Sequence, residues 1–303
     1  DVANGQHEQA RKGEQQHGPL PCQRAQRIYA IIREAGLMIT SRSNQHVRRI
    51  KRLLSDAGYR RLERLFAIEG ARLCADAAQS GVNIRALLYT AVAQAAYPSQ
   101  LSVLKEKARE CYEISSAVAE YIGDTRSPQG VFCVCDLLDN RKELDKIINV
   151  NPPVGFLALE NIQDPANLGA IIRTAEAFGL SGLILSDGCC DIYNPKVLRG
   201  SMGGVFRLPF YFVGDMAAAA EKLKGFGIPC FAAVVGDGAV PLNKTKLPRG
   251  CVCVIGNEGR GLLPKTSTAC AGKITVPMAG GAESLNAAMA AGIIIWEMYK
   301  SSF

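Results

Sequence analysis

An α/β fold is predicted for this chain, with a mostly parallel sheet covered by helices on both faces in its second half. Three observations predict it. From Gly155 onward, short apolar runs of strand length alternate with stretches of helical periodicity, the pattern of consecutive strand–helix units. The 303 residues, 48% hydrophobic and 21% charged, have a globular composition and the length for two domains of ordinary size. Polar residues and glycines collect where apolar strands run out, at 161–179, 255–262 and 274–287, which is where α/β proteins build sites.

Residues 1–37 read as a leader that begins at Asp1 without a methionine. It opens on a Gln/Glu/Gly/His-rich stretch, and Pro19 and Pro21 favour disorder through Cys22. A helix is open to 23–34, but Met38 is read as the start of the folded protein and the leader as disordered or non-native. In 38–136 the periodicity predicts a basic amphipathic helix over 44–57, with Val47, Ile50, Leu53 and Leu54 on one side. Strands are expected at 65–69, 84–90 and 130–135, and helices at 70–79, 100–111 and 115–122. The charged stretch RKELDKIINVNPP, within 137–153, reads as a helical linker ended by Asn-Pro-Pro. In 154–303, strands are expected at 155–159, 182–185, 229–235, 251–255 and 273–275, and helices at 168–178, 194–202, 214–226 and 284–300.

Net charge is +7 and unevenly spread. Between positions 42 and 64 stand seven arginines (Arg42, Arg48, Arg49, Arg52, Arg60, Arg61, Arg64) and Lys51, against Asp56 and Glu63. A one-signed excess suits a polyanion such as RNA, because neutralised phosphates release counterions; a solvated helix face is the alternative. Arg42, Arg48, Arg49 and Arg52 are the candidate RNA contacts. Eleven cysteines, an odd number on a long chain, read as reduced thiols. Cys133 with Cys135, and Cys251 with Cys253, have strand spacing, which puts each pair on one sheet face as buried packing. No apolar run reaches the roughly 18–20 residues that span a bilayer, and the leader lacks the apolar stretch of a secretory signal. A cytoplasmic protein without membrane contact is expected.

The only histidines are His7, His17 and His46. None lies in 154–303, so Ser-His and Cys-His nucleophile pairs and His-ligated metal sites cannot be built there, and no metal is expected. The first strand, GFLALEN, is not followed by GxGxxG, and GNEGRG lacks the Lys-Ser/Thr of a P-loop. Chemistry falls to Arg, Asn, Glu, Ser and backbone amides. In NIQDPANLGAIIRTAEAFG, Asn167 is placed to cap a helix, and Arg173 follows six residues later among apolar neighbours. Such an arginine needs a partner, either Glu176, Glu160 or a ligand. In IGNEGRGL, three glycines surround Asn257, Glu258 and Arg260, and glycine lets backbone N–H groups approach a ligand closely. In ITVPMAGGAESLNA, Glu283 or Ser284 is placed to cap the last helix, while Asn286, read as inside its first turn, is not explained by capping.

Together, in this order and spacing, these three segments resemble the motifs of the SpoU (TrmH-like) RNA 2′-O-ribose methyltransferases, members of the SPOUT superfamily. The resemblance covers 155–303 and implies a deep trefoil knot, S-adenosylmethionine as cofactor and a homodimer. It implies catalytic roles for Arg173 and Asn167, a Glu258 that orders the centre, and Ser284 and Asn286 at the reaction site. The implied cofactor pocket is Ile255, Gly256, Asn257, Gly259, Ile274, Met278, Ser284 and Leu285. The stretch NPKVLRGSMGGVFRLPF at 194–210 also resembles the family, which makes Arg199 and Ser201 candidate substrate contacts. Ala287, Ala288, Ala290, Ala291 and Gly292 permit the close helix packing of the implied dimer. FAIEGARLCADA and SPQGVFCVC make 38–136 similar to the L30e-like RNA-docking domain of ribosomal-RNA members, thiopeptide-resistance enzymes among them. The implied substrate is 23S ribosomal RNA, with tRNA the runner-up.

The implied reaction moves a methyl group in line from a sulfonium to a ribose 2′-oxygen. Arg173 is an awkward base, since a guanidinium with a pKa above about 12 stays protonated. A grip on phosphate with stabilisation of the developing alkoxide is favoured, and the base role stays open. Three other readings compete: a non-catalytic RNA-binding protein, a nucleotide enzyme on an ordinary dinucleotide-binding sheet, and a SPOUT enzyme that methylates a base nitrogen.

Overall fold

The computed structural model describes residues 38–301 apart from 126, 139, 140, 151, 152 and 237. The expectations for 1–37 lie outside the described residues. Asn44 starts α1 (Gln45–Ser55), its side chain accepting from His46 N at 2.9 Å, and Val47, Ile50, Leu53 and Leu54 are buried along one face as the periodicity requires. Asp56 ends α1 and caps a second helix, α2 (Ala57–Glu63), through Tyr59 N at 2.9 Å. Arg64, at φ 54°, turns the chain into β1 (Leu65–Glu69). There follow α3 (Ala71–Gln79), β2 (Ile84–Tyr89), α4 (Ala91–Ala96), α5 (Pro98–Lys107), β3 (Glu110–Glu113), α6 (Ser116–Ile122) and β4 (Val131–Asp136). The four strands form one sheet in the order β1-β4-β2-β3. The helix expected over 100–111 stops at Lys107, because 110–113 becomes an edge strand paired parallel to β2. That strand carries charge at both ends and has no apolar run to announce it.

The second sheet begins earlier than expected. Residues 137–153, read as a helical linker, instead supply β5 (Arg141–Lys142) to its edge and a 3₁₀ turn over Leu144–Asn149 whose Leu144 and Ile147 are buried. Next come β6 (Phe156–Leu159), α7 (Pro165–Ala177), β7 (Gly182–Ser186), α8 (Pro195–Ser201), α9 (Gly204–Arg207), β8 (Phe210–Val213), α10 (Met216–Gly225) and β9 (Cys230–Ala233). The chain ends with β10 (Val240–Pro241), β11 (Val252–Ile255), α11 (Pro264–Ala269), β12 (Gly272–Thr275) and α12 (Ala287–Lys300). The eight-stranded sheet has the order β10-β12-β9-β11-β6-β7-β8-β5, and every pairing is parallel. The register sets Ile255 opposite Leu159, so the loops that leave β6 and β11 emerge side by side. That adjacency builds the site.

Each half closes an apolar cluster of its own, and a third is shared between them. One apolar cluster runs from Phe66, Cys74, Leu87 and Cys133 through Phe206 to Leu157, Leu168 and Ile172. The Phe66 ring lies 4.8 Å from that of Tyr193 and 6.4 Å from that of Phe206. Cys133, Cys135, Cys251 and Cys253 are buried, and all ten described cysteines are free thiols. Arg60, counted above in the basic run, does not face solvent. It is 3% exposed, pairs with Asp191 at 2.7 Å and donates to Leu53 O at 2.6 Å. Arg207 joins Asp76 at 3.0 Å to Glu176 at 2.7 Å, and Arg199 pairs with Asp124 at 2.9 Å.

Removing one member of a buried pair strands the other, which costs about 3–5 kcal/mol, whereas an exposed pair contributes under about 1 kcal/mol. Arg60→Ala is therefore expected to lower the urea midpoint markedly. Arg49→Ala, which breaks an exposed pair with Glu63, is expected to leave it nearly unchanged.

Candidate active site

The loop after β6 and the N-terminus of α7 form one wall. The helix begins at Pro165, and its cap is Asp164, which accepts from Ala166 N at 2.8 Å, not Asn167 as the spacing suggested. Proline at the first helical position has no N–H to satisfy, which fixes the cap one residue earlier. Asn167, freed from capping, is buried 6% exposed and points to other partners. The loop after β11 forms the second wall. A Cβ on Gly256 would stand 2.2 Å from the backbone of Gly261 and Leu262, so the turn closes only with glycine there. Asn257 holds the loop, bridging to Gly261 through its backbone and donating its side chain to Asn161 O at 2.8 Å.

Glu258 joins the walls. Its carboxylate accepts from Asp164 N at 3.0 Å, Asn167 Nδ2 at 3.1 Å, Gln163 N at 3.2 Å and Asn257 Nδ2 at 3.3 Å. Partial burial pulls its pKa up, but the hydrogen bonds from its own N–H, Asn167, Asp164 and Gln163 outweigh this, and the carboxyl ends below its ordinary value. Asn167 then accepts through Oδ1 from Asn286 Nδ2 at 2.9 Å. Asn286 proves to be the cap of α12, accepting from Ala288 N at 2.9 Å and Met289 N at 3.3 Å. Capping therefore does explain Asn286, and neither Glu283 nor Ser284 caps. The Ser284 hydroxyl is exposed and makes no hydrogen bond among the described residues.

Two adjoining depressions open here. A cavity of about 380 Å³ is lined by all eight residues expected around a cofactor: Ile255, Gly256, Asn257, Gly259, Ile274, Met278, Ser284 and Leu285. Beside it, a shallower one is lined by Asn167, Glu258, Ser284 and Asn286. Arg173 is not among them. It lies on the exposed side of α7, whereas Asn167 six residues earlier is buried, as a turn of 100° per residue dictates. It makes no ion pair among the described residues: Glu176 is taken by Arg207, and the buried Glu160 accepts from Thr266 Oγ1 at 2.6 Å and Leu263 N at 2.8 Å.

The candidate RNA contacts divide. Arg42 sits 5.1 Å over the Tyr121 ring, Arg49 pairs with Glu63, Arg52 pairs with Asp56, and Arg48 is exposed. Arg199 faces a cleft against α3. Ser201 is a correction: it is 1% exposed and its hydroxyl is spent on Leu198 O at 2.9 Å, so it cannot reach a substrate. The sequence reading missed Ser186, which donates to Asn161 Oδ1 at 3.2 Å and accepts from Asn161 N at 2.9 Å, holding Asn161 at φ 59°. A Cβ at Gly188 would stand 1.9 Å from Asn161 Oδ1. The glycine after Ser186-Asp187 was the available signal. Burial, followed by Cys189, Glu258 and other nearby acids, pushes the Cys190 thiol up to about 12, so it stays protonated and is no nucleophile at neutral pH.

The comparisons with known proteins match this geometry. Residues 155–296 match the SpoU rRNA Methylase family, and 44–133 match the MRM3-like substrate binding domain. The Bacillus subtilis 23S rRNA (guanosine(2553)-2′-O)-methyltransferase RlmP is 30% identical over 264 residues, spanning 86% of this chain and 98% of its own. The chain belongs to the SpoU rRNA methylase family. As a SpoU methylase it is an S-adenosylmethionine-dependent RNA 2′-O-methyltransferase on an α/β fold. An AdoMet-bound rRNA methyltransferase from Sinorhizobium meliloti superposes with a TM-score of 0.75 at 28% identity, covering 88% of this chain and 98% of that one. AviRb from Streptomyces viridochromogenes, in complex with AdoMet, also gives 0.75, at 27% identity over 86% and 98% of the two chains.

The cavity fits this cofactor. Ile255, Ile274, Met278 and Leu285 supply apolar walls, the glycine loop supplies backbone donors and acceptors, and the volume is in the range of small-ligand sites. Gly256→Ala is expected to weaken S-adenosylmethionine binding at least about ten-fold by calorimetry, since something must shift to relieve a 2.2 Å contact with backbone. Gly225→Ala, where a Cβ meets nothing within 4 Å and which lies outside the cavity, is expected to bind normally. The lowered pKa of Glu258 also carries a sign: its contribution to stability is full above the ordinary value of 4.5 and is lost as pH falls through the lower native value. Between roughly pH 5 and 3, wild type should lose more stability than Glu258→Gln, which has no such proton to take up.

Proposed function

We propose that this methylase acts on 23S ribosomal RNA, that it works as a homodimer, and that Arg173 completes the site. The observation that carries the reading is the run Glu258–Asn167–Asn286 beside the glycine-loop cavity, with Ser284 left free at the junction. The large-subunit substrate is favoured over tRNA because RlmP and the Streptomyces viridochromogenes 23S rRNA (uridine(2479)-2′-O)-methyltransferase match along 98% and 93% of their length, including the N-terminal half. Both are named 23S rRNA 2′-O-methyltransferases. The proposed chain path includes a deep trefoil knot formed by 256–262 and 276–286, which line one cavity. The proposed location is the cytoplasm; no described helix is long and apolar enough to cross a membrane.

Bound S-adenosylmethionine supplies an electrophilic methyl group on a positively charged sulfur. The protein's work is to place a ribose hydroxyl against it. Glu258 is a poor base, because its oxygens are already taken by four donors and its pKa is lowered. It acts as a positioning residue that fixes the Asn167 amide. Ser284 touches the hydroxyl, Arg173 grips the neighbouring phosphate and stabilises the developing alkoxide, and the proton leaves to water.

Within one protomer Arg173 does not line the depression that holds Asn167 and Glu258. A second copy supplies the missing arginine. Its seat is the exposed face of α12, where Met289, Ile293 and Trp296 are 63%, 36% and 46% exposed at helical spacing beside Leu285. The small residues expected to make this contact are turned inward in part, with Ala287 and Ala291 buried against the core.

Labelled methyl should pass from S-adenosylmethionine to unmodified 23S rRNA and leave an alkali-resistant linkage; label in tRNA alone would redirect the substrate, and no transfer to any RNA would sink the reading. Arg173→Ala and Glu258→Gln should each lose at least about 100-fold in kcat. Mixed and re-associated, the two inactive variants should recover up to about a quarter of wild-type activity, because half the dimers are mixed and one of their two sites is intact. No recovery would place Arg173 and Glu258 in the same protomer's site.

A further inference from the structure

A cleft of about 810 Å³ separates α3 from α7, α8 and the residues after it. It is distinct from the basic helix: α1 packs on the β1 face that carries Leu65 and Ala67, whereas α3 packs on the face that carries Phe66 and Ile68. Arg72 and Gln79 stand on the α3 wall, and Arg173 and Arg199 on the other. The carboxylates that line the cleft are already engaged. Glu69 accepts from Asp124 N at 2.9 Å and Thr125 Oγ1 at 2.5 Å, and Asp76 is held by Arg207 at 3.0 Å. Arg72 and Arg173 make no ion pair among the described residues, and with Arg199 and Arg207 they give the lining four guanidiniums against the two carboxylates of Glu69 and Asp76. Arg207 braces the walls through Asp76 and Glu176, which keeps the spacing fixed.

The remaining lining reads as a surface for bases. Gln79 offers a side-chain amide that both donates and accepts, Gln100 and Gln129 keep their amide N–H groups while their carbonyls accept from Ser99 Oγ and Ala71 N at 2.9 Å, and the Ser127 hydroxyl stands beside them. Met202 is held at φ 48°, a conformation rare for a non-glycine residue, and its side chain is 44% exposed at the cleft. Arg199 Nη1 is buried with no hydrogen-bond partner among the described residues, a donor left over after the Asp124 pair.

We propose that this cleft binds a single-stranded segment of the RNA substrate, with one backbone phosphate held between Arg72 and Arg173 and an unpaired base laid against Met202 and the glutamine amides. Unpaired bases expose their faces and edges together, which suits a lining of cations, amides and apolar side chains, Leu73 among them. The inference rests on the RNA-methyltransferase reading and adds to it a contact made by the N-terminal half from the side opposite its basic helix. Arg72 becomes a substrate-binding residue, and the bracing by Arg207 keeps the phosphate grip in register with catalysis.

The test uses the full chain, unmodified 23S rRNA made by transcription, and variants Arg72→Glu and Arg72→Lys. Arg72 is exposed and outside the cofactor cavity, so S-adenosylmethionine affinity should stay at the wild-type value in both. Arg72→Glu should weaken RNA binding about ten-fold and reduce the slope of log affinity against log salt by about 0.7, and Arg72→Lys should retain most of the affinity. RNA carrying 4-thiouridine should cross-link to the peptide that contains Met202. Wild-type protein that binds and methylates RNA, with Arg72→Glu indistinguishable from it or cross-links confined to α1, overturns the cleft alone. Wild-type protein that neither binds nor methylates RNA overturns the functional reading and the cleft with it.

Discussion

The carboxylate of Glu258 ties together segments that are about ninety residues apart in sequence, and the rest of the site is arranged around it. Two backbone amides at the start of α7 and two side-chain amides converge on its oxygens. The convergence is possible because β6 and β11 are parallel neighbours in register, which delivers both loops to one edge of the sheet. Asn167 passes the constraint on to Asn286, and Asn286 to the first turn of α12. An amide has one donor end and one acceptor end, so fixing Asn167 at Glu258 fixes which atom Asn286 meets. The four acceptor positions of Glu258 are filled by this relay, whereas the Ser284 hydroxyl stands outside it and makes no hydrogen bond among the described residues.

The amides of the site carry no proton-accepting nitrogen, and the lowered pKa of Glu258 makes its carboxylate a weak base. Glu258 is stabilised as the anion, and Cys190 is held as the thiol by burial. Methyl transfer from a sulfonium tolerates this, since the donor already carries the driving charge and the protein's contribution is placement and stabilisation of the oxyanion. The same reasoning explains why the rigidity of the surroundings matters more than the acidity of any one group.

Packing links the two halves of the described body. The shared apolar cluster joins the faces of both sheets, and Arg60 reaches from α2 to Asp191 in the loop after β7. Asp191 follows Cys189 and Cys190, whose segment hydrogen-bonds back to the loop after β6 through Cys190 N and Ile162 O at 2.8 Å. The N-terminal half thus meets the catalytic loops through this buried charge pair, in addition to the Arg207–Asp76 and Arg199–Asp124 pairs.

The three motif segments were legible because chemistry-bearing residues sat at strand ends, where a core explanation is weak, and eight of them do line one cavity. The caps were misread where spacing alone was used: Pro165 marks Asp164 as the cap of α7, and Asn286 rather than Ser284 starts α12. Hydrophobic patterning determined five of the eight strands of the second sheet, β6, β7, β9, β11 and β12, and the face of α1, since burial of apolar side chains is a local and periodic demand; β5, β8 and β10 were not read from it. Partners of charged and polar groups were decided only by the tertiary structure. Arg60 in a basic run is buried, Ser201 in a motif is spent on its own helix, and Arg173 stands apart from Asn167. A charge or hydroxyl takes its role from whichever group the fold brings within hydrogen-bonding distance, and that distance is set by packing between elements far apart in sequence.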